Sequence, residues 1–462
     1  MMRMMTVAAC LWLGLFPLLQ GGTYAHITLD KWYIFLIFTG LTLCLFGADF
    51  LLCRAARTAP AAGAAPGVPS RAFSPRLLPA LLLTATMILS CLFGGYDAEI
   101  WWQGASVRLE GLETQLCYLG LFFLFAFSRV RIRPVLYSAA AAVLLFLVLV
   151  LLQRAGRNPL GLYPAGRSYA RNPEFQGTIG NIDMGTGWLV MLTGLFLCGG
   201  RDALRAWREH KKKAALAQAL VCGAGLAAAV FLVLSMGVQF GVIALAVLLL
   251  ALLLRLLPRK WRLPALILLL ALALLVVWFW PGYGGGIWEL HEMLHGRARL
   301  SFGSNRVAVW YYSLPLAKQN LLLGGGSDTF VLRFNDHLRA NALVIPNEQD
   351  GVRLPDYFDT PHNEYLAQWL NHGLPAAVCF ILLIVLALWR RREGLLPLLT
   401  PCSAAALCYA VQAFFSFSVC IIAPMFWVVL GICHSAGSAS GDVSFFSVSS
   451  PAMPSGSRPF FR

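Results

Sequence analysis

Charge is what this chain is short of. Of its 462 residues 12% are charged and only 21 are acidic, against 59% hydrophobic residues and a mean hydropathy of +0.70. A soluble protein of this length needs far more charge to cover its surface, so a water-soluble globular fold is excluded. Cysteine is missing from the one long polar stretch, 281–373. All twelve cysteines (Cys10, Cys44, Cys53, Cys91, Cys117, Cys198, Cys222, Cys379, Cys402, Cys408, Cys420 and Cys433) lie in or beside apolar runs, where cysteine acts as a small hydrophobe. No disulfide framework or zinc knuckle is indicated. The glycine run Gly324-Gly325-Gly326-Ser327-Asp328 lacks the Lys-Ser/Thr of a phosphate-binding loop and reads as a flexible turn. No internal repeat of the kind that marks many transporters is present.

What the chain has instead is apolar runs. A membrane-spanning helix needs about 20 mostly apolar residues. Twelve stretches qualify: 4–20, 32–53, 77–94, 113–128, 135–152, 183–199, 214–234, 238–254, 263–280, 374–389, 396–416 and 419–433. The run 214–254 is too long for one helix, and Ser235-Met236-Gly237 is the place to turn it. The first run has two readings, a signal peptide ending near Thr23-Tyr24-Ala25 or a retained helix, and we favour the second.

The net charge of +15 suggests nucleic acid, but the basic residues sit in short loops between apolar runs, where they set orientation. With the N-terminus in the cytoplasm, the inside segments hold Arg54 to Arg76, Arg129 to Arg133, Arg201 to Lys213, Arg255 to Arg262, and Arg390 to Arg392. Together with the termini they carry 23 of the 36 basic residues and 5 of the 21 acidic ones. The other face keeps a surplus of acid, so its arginines are not there for orientation. They are locally paired or they bind an anion.

The expected fold is therefore an all-α polytopic membrane protein of about 12 transmembrane helices, with a long amphipathic external loop between helices 9 and 10. Residues 1–280 carry helices 1–9, 281–373 the external loop, 374–433 helices 10–12, and 434–462 a disordered cytoplasmic tail. Residues 58–70, rich in Ala, Pro and Gly, read as a cytoplasmic linker. Both termini lie in the cytoplasm and the loop is extracytoplasmic.

Three places in the loop carry chemistry. Ser304 is a plausible N-cap, and Val307, Trp310, Tyr311 and Leu314 recur at helical spacing, which puts Arg306 in a first turn whose N–H groups point outward. An arginine fork beside helix N–H groups suits a phosphate; the plainer reading is an interfacial helix whose Arg306 meets lipid phosphate or a carboxylate. Thr360-Pro361 signals a helix start, with His362 in the first turn. The helix dipole would keep that ring neutral and able to accept a proton, as a general base or simply as a cap at the interface. His291-Glu292-Met293-Leu294-His295 spells His-Glu-x-x-His, the zinc-peptidase motif, but glycines hem it in and no third ligand is evident by spacing.

The chain resembles the O-antigen ligase and O-antigen polymerase superfamily of bacterial membrane glycosyltransferases. The resemblance runs loosely over nearly the whole length and is strongest over 288–433. It is carried by His362-Asn363 followed after nine residues by Gly373-Leu374-Pro375-Ala376, and by Arg306 followed by Trp310. Leu323 to Gly326 with Asp328-Thr329-Phe330 also match, as do Gly104 with Arg108 and Gly111-Leu112, and Gly177-Thr178-Ile179-Gly180-Asn181. The resemblance implies transfer of a glycan from an undecaprenyl-diphosphate carrier to an acceptor hydroxyl, with inversion, no cofactor and no required metal, at the outer face of the cytoplasmic membrane. The acceptor would be a glycan, a lipid or a wall polymer; membrane lipids are the other partner, and no nucleic acid is implied. It maps the acceptor base onto His362 and the diphosphate-holding arginine onto Arg306. Arg108, Trp310, Asn363 and Tyr365 become candidate substrate-binding residues. Where some members carry Ser-Arg-Gly this chain has Ser235-Met236-Gly237, so one expected anion-binding arginine is missing. Polymerase activity, transport of a lipid-linked glycan and zinc proteolysis are the alternatives, in that order.

Overall fold

The computed structural model describes residues 4–58, 74–345, 348–349, 352–353, 358–389 and 399–435. The linker residues from 59 on, the Arg390 to Arg392 loop and the tail beyond Ser435 lie outside them. The described chain is mostly helical, and its strands are confined to two two-stranded ribbons among the described residues. Seven helices are long and apolar enough to cross a membrane: Tyr24–Arg54, Pro75–Phe93, Ile132–Arg154, Ile182–His210, Lys213–Met236, Gln239–Leu256 and Arg259–Trp278. Four further apolar helices are shorter: Met4–Leu18, Leu112–Ala126, Leu374–Leu388 and Ala423–His434. With Pro401–Ala413, a helix stands at each of the twelve apolar stretches, though only seven reach spanning length. The long run 214–254 is broken as its sequence suggests, into helices on either side of Gly237 at φ 71°. All twelve cysteines are free thiols.

The helix starts follow local chemistry. Proline occupies the first turn of Leu78–Phe93, Pro401–Ala413 and Ala423–His434, where its missing N–H has no intrahelical partner to lose. Thr400 and Ser403 add a reciprocal capping box.

Ile182–His210 is the hub. It packs on Lys213–Met236, Pro401–Ala413 and Gln239–Leu256. Its most apolar window is 83% buried, whereas none of Arg259–Trp278 is buried, so that helix lies at the periphery. The first helix is built into the core: Trp12 is fully buried and its Nε1–H donates to Thr42 Oγ1 at 2.8 Å.

Between Trp278 and Leu374 the chain forms its own small core. Helices Gly285–Leu294, Arg306–Gln319, Phe330–Ala340 and Glu364–His372 lie here, and Ala308, Val309, Leu316, Phe330, Phe334, Leu338 and Leu370 cluster apart from the main core. The apolar stripe of the Arg306 helix, Val307, Trp310, Tyr311 and Leu314, is not its buried face. The buried face is Ala308, Val309, Ser313, Leu316 and Ala317, because these small residues let the helix approach its neighbours, while Tyr311 and Leu314 are exposed. The glycine run is no flexible turn either. Gly324 (φ 64°) lies so close to the 364–372 helix that a Cβ would meet the Asn371 carbonyl carbon at 2.5 Å, and Ser327 is fully buried.

Candidate functional site

Two segments more than 50 residues apart meet at the end of the bundle. The Trp310 indole N–H donates to the Pro361 carbonyl at 2.8 Å and its ring packs on Phe414, tying the Arg306 helix to the His362 segment. Arg108, from the loop before Leu112–Ala126, joins them. Its Nε donates to Asp359 Oδ2 at 2.8 Å, and its guanidinium stacks 4.3 Å from the centre of the Phe417 ring. The His362 ring meets the same phenyl group edge to face at 5.0 Å.

Neither helix begins where local sequence suggests. Asn305, not Ser304, is the N-cap of Arg306–Gln319, and its side chain makes no capping bond. Thr360 does not cap the later helix. Asn363 does, accepting from Leu366 N–H at 2.9 Å, and the helix starts at Glu364. His362 therefore precedes the cap, held at φ 49°. Seven non-glycine residues have positive φ among the described residues, and five belong to this region: Leu109, Ser304, Asn305, Asp328 and His362. Each such residue costs about 1 kcal/mol or more, and strain of this kind concentrates at functional sites.

His362 is electrostatically cornered. Burial above all, then the charges of Arg306 and Arg108, push its pKa down to about 4 against the opposing pull of Asp359. Its Nδ1 is 3.2 Å from the Thr360 carbonyl oxygen. Assigning the proton from that hydrogen bond places it on Nδ1 and leaves Nε2 as the basic nitrogen. Arg306 is also largely enclosed, and burial lowers its pKa. Its Nη1 donates to the Gly303 carbonyl at 3.0 Å, but its Nε is buried with no hydrogen-bond partner among the described residues. A buried guanidinium with an unused donor is costly unless something else accepts from it.

Beside these groups lies a small cavity of about 50 Å³ lined by Arg108, Asp359, Thr360 and Phe417, and by three carboxyl groups that the sequence did not single out. Glu110 accepts from the Tyr118 hydroxyl at 2.7 Å and Gln115 Nε2 at 3.0 Å, and burial raises its pKa to about 8. Asp328 accepts from the Ser106 N–H at 2.9 Å and its hydroxyl at 2.8 Å, and burial raises it to about 6. Glu364 is raised to about 7 by burial; one oxygen accepts from Tyr409, the other is buried without a partner among the described residues. Gly104 closes this wall. At φ 113° it brings the backbone so near Asp328 that a Cβ would stand 2.4 Å from the carboxylate. The sequence hints were slight: Glu110 beside Gly111, Asp328 in the matched Asp328-Thr329-Phe330, and Glu364 directly after His362-Asn363.

The other candidates are placed as follows. Trp310 and Asn363 act on the backbone, as a staple and a cap. Tyr365 turns to the bundle: its hydroxyl donates to the Ala410 carbonyl at 2.6 Å and its ring packs on Phe380 and Phe414. The Gly177 to Asn181 motif is a ribbon turn, tied in by Tyr24 to Gly177 and by Thr178 to Pro17. In the His-Glu-x-x-His stretch, Glu292 is ion-paired with Arg297 at 2.6 Å and the two histidine Nδ1 atoms face backbone carbonyls. Among the described residues no group of three or more His, Cys, Asp or Glu is arranged to hold a metal ion.

The class defined by these features is a helical membrane protein whose polar site is built from a folded inter-helix segment and an arginine-bearing loop. Residues 223–381 match a family model described as O-antigen ligase, which supports placing the chain in the O-antigen ligase superfamily, a family of glycosyltransferase-like ligases and polymerases. The matched span contains Arg306, Asp328, His362 and Glu364, but not Arg108 or Glu110. No curated protein matches the chain.

Proposed function

We propose that the protein transfers a glycan from an undecaprenyl-diphosphate carrier to an acceptor hydroxyl at the outer face of the cytoplasmic membrane. The observation that carries this reading is the joint placement of two arginines and a neutral histidine around one site, with a donor of buried Arg306 unused. A diphosphate is already a good leaving group. It needs positive charge as the glycosidic C–O bond breaks, and Arg306 supplies that, with Arg108 held ready by Asp359. The acceptor needs a base, and His362 Nε2 takes the hydroxyl proton as its oxygen attacks the anomeric carbon. Attack opposite the leaving diphosphate inverts that carbon, and neither step calls for a metal. The positive-inside count supports an outward-facing site.

A single assay decides the reading. Protein reconstituted with an undecaprenyl-diphosphate oligosaccharide should release the carrier only when an acceptor is added, with a new glycosidic bond in the product. Movement of intact lipid-linked glycan across the bilayer with no bond made would replace transferase by transporter. A product that grows by repeat units would specify a polymerase.

A further inference from the structure

A second cavity, far larger than the first, lies between Ile182–His210 and Lys213–Met236 and has no part in the chemistry above. It is an open groove of about 670 Å³, within the range of about 300–1,000 Å³ typical of small-ligand pockets. Its walls are Phe196, Leu197, Leu204, Leu216, Leu220 and Leu226. Two glycines hollow it further: a Cβ on Gly223 would meet nothing within 4 Å, and one on Gly200 would already press on Cys222 at 3.1 Å.

One end of this greasy slot is cationic. Arg201, Arg205 and Arg208 project from one face of the same helix, at spacings of four and three residues. Arg201 is engaged by Asp202 at 2.7 Å and by the Leu399 carbonyl. Arg205 and Arg208 are exposed and form no ion pair or side-chain hydrogen bond among the described residues; Glu209 is the one further acidic group lining the cavity. Both walls belong to helices long and apolar enough to cross a membrane, and the arginines lie toward the C-terminal end of one of them, where a side chain on such a helix reaches the headgroups. Basic pockets between membrane helices are sites for anionic lipid headgroups.

We propose that this cavity is a binding site for an anionic phospholipid. An acyl chain fills the slot past Gly223, and the headgroup phosphate is held by Arg205 and Arg208. On the orientation inferred from the basic loops this is a lipid of the cytoplasmic leaflet, at the membrane face opposite the proposed catalytic site. The site is independent of the catalytic reading and stands or falls separately.

The test uses full-length protein in nanodiscs of phosphatidylglycerol and phosphatidylethanolamine in equal amounts and with identical acyl chains. Lipid that stays bound on release from the disc is identified by native mass spectrometry. The expected result is retention of phosphatidylglycerol over phosphatidylethanolamine by about fivefold or more, falling to parity in Arg205→Gln/Arg208→Gln. Gly223→Leu, which fills the slot and leaves the arginines in place, should lower retention of both lipids. A control pair in another basic loop, Arg129→Gln/Arg131→Gln, should keep the preference. No preference in the wild type, a preference that survives the Arg205/Arg208 change, or equal loss in the control pair would each overturn the proposal. Thermal unfolding in detergent separates loss of the site from loss of the fold.

Discussion

Residues 285–299 and 358–372 are made from the same ingredients: a short helix, two histidines and a glutamate beside one of them. In the first segment the acid and both histidines of the motif meet partners within the segment or on the adjoining chain. Glu292 and Arg297 pair across five residues, His295 Nδ1 meets the His291 carbonyl, and its ring stacks on Trp278. In the second segment Asn363 and His372 find partners nearby, but the groups at its start do not all do so. His362 sits at a left-handed φ, close enough to arginines from two distant segments to feel their charge, and Glu364 keeps an oxygen without a partner among the described residues. The first spells the zinc-peptidase motif and the second the His-Asn element of the family resemblance. What separates them is stored cost, in strain, burial and unused hydrogen-bonding capacity, and such cost persists where a ligand or reaction offsets it.

The comparison can be broken by substitution. His362→Ala should have the largest effect, about 10²–10⁴-fold in turnover, the range for a general base. Because this ring must be neutral to act and its pKa is about 4 without substrate, kcat/KM should fall only as pH drops toward that value. The bound diphosphate is an anion and raises the ring's pKa, so the acid limb of kcat should lie at higher pH than that of kcat/KM. Arg306→Ala follows, at about 10²–10³-fold if it stabilises the leaving group. Arg306→Lys should recover only part, since an ammonium lacks the planar fork.

A smaller effect concerns stability. Glu110, Asp328 and Glu364 all have folded-state pKa values raised by burial, to about 8, 6 and 7. Each binds its proton more tightly in the fold than in the unfolded chain, so its contribution is full below about pH 4 and is lost as pH rises through the folded values. Buried His362 and His372, lowered to about 4 and 3, add stability as pH rises between about 4 and 6.5 and offset the lower part, so the net decline shows from about pH 6 to 8. His362 is neutral in both states over most of that window and contributes little. Thermal unfolding across this range should show the decline, and Glu364→Gln should flatten it. The smallest effect belongs to the other segment: Glu292→Gln should change turnover less than about twofold, since its ion pair is half exposed on the arginine side and solvent screens such pairs.

Much of the architecture was legible. Membrane helices announce themselves by length and apolarity, and the break at Gly237 followed from the excess length of one run. The helix starts in the loop were not, because they turn on which side chain reaches which N–H. Thr360-Pro361 has the right residue types, yet Asn363 makes the capping bond. The apolar stripe of the Arg306 helix does not mark its packed side, where Ala308, Val309, Ser313, Leu316 and Ala317 lie. His362, Arg306 and Arg108 could be named from their residue types and the family resemblance. The carboxyls could not: isolated acids carry no spacing signal, and Ser106–Asp328 and Arg108–Asp359 join positions 222 and 251 residues apart.

The central claim is a division of labour, with Arg306 holding the diphosphate and His362 acting only on the acceptor. Binding of undecaprenyl diphosphate, the released carrier, to purified wild type, Arg306→Ala and His362→Ala tests it most directly. Affinity should fall at least tenfold in Arg306→Ala and stay within about twofold of wild type in His362→Ala, although both variants should lose most of their turnover. Equal affinity in all three, or loss confined to His362→Ala, would contradict it.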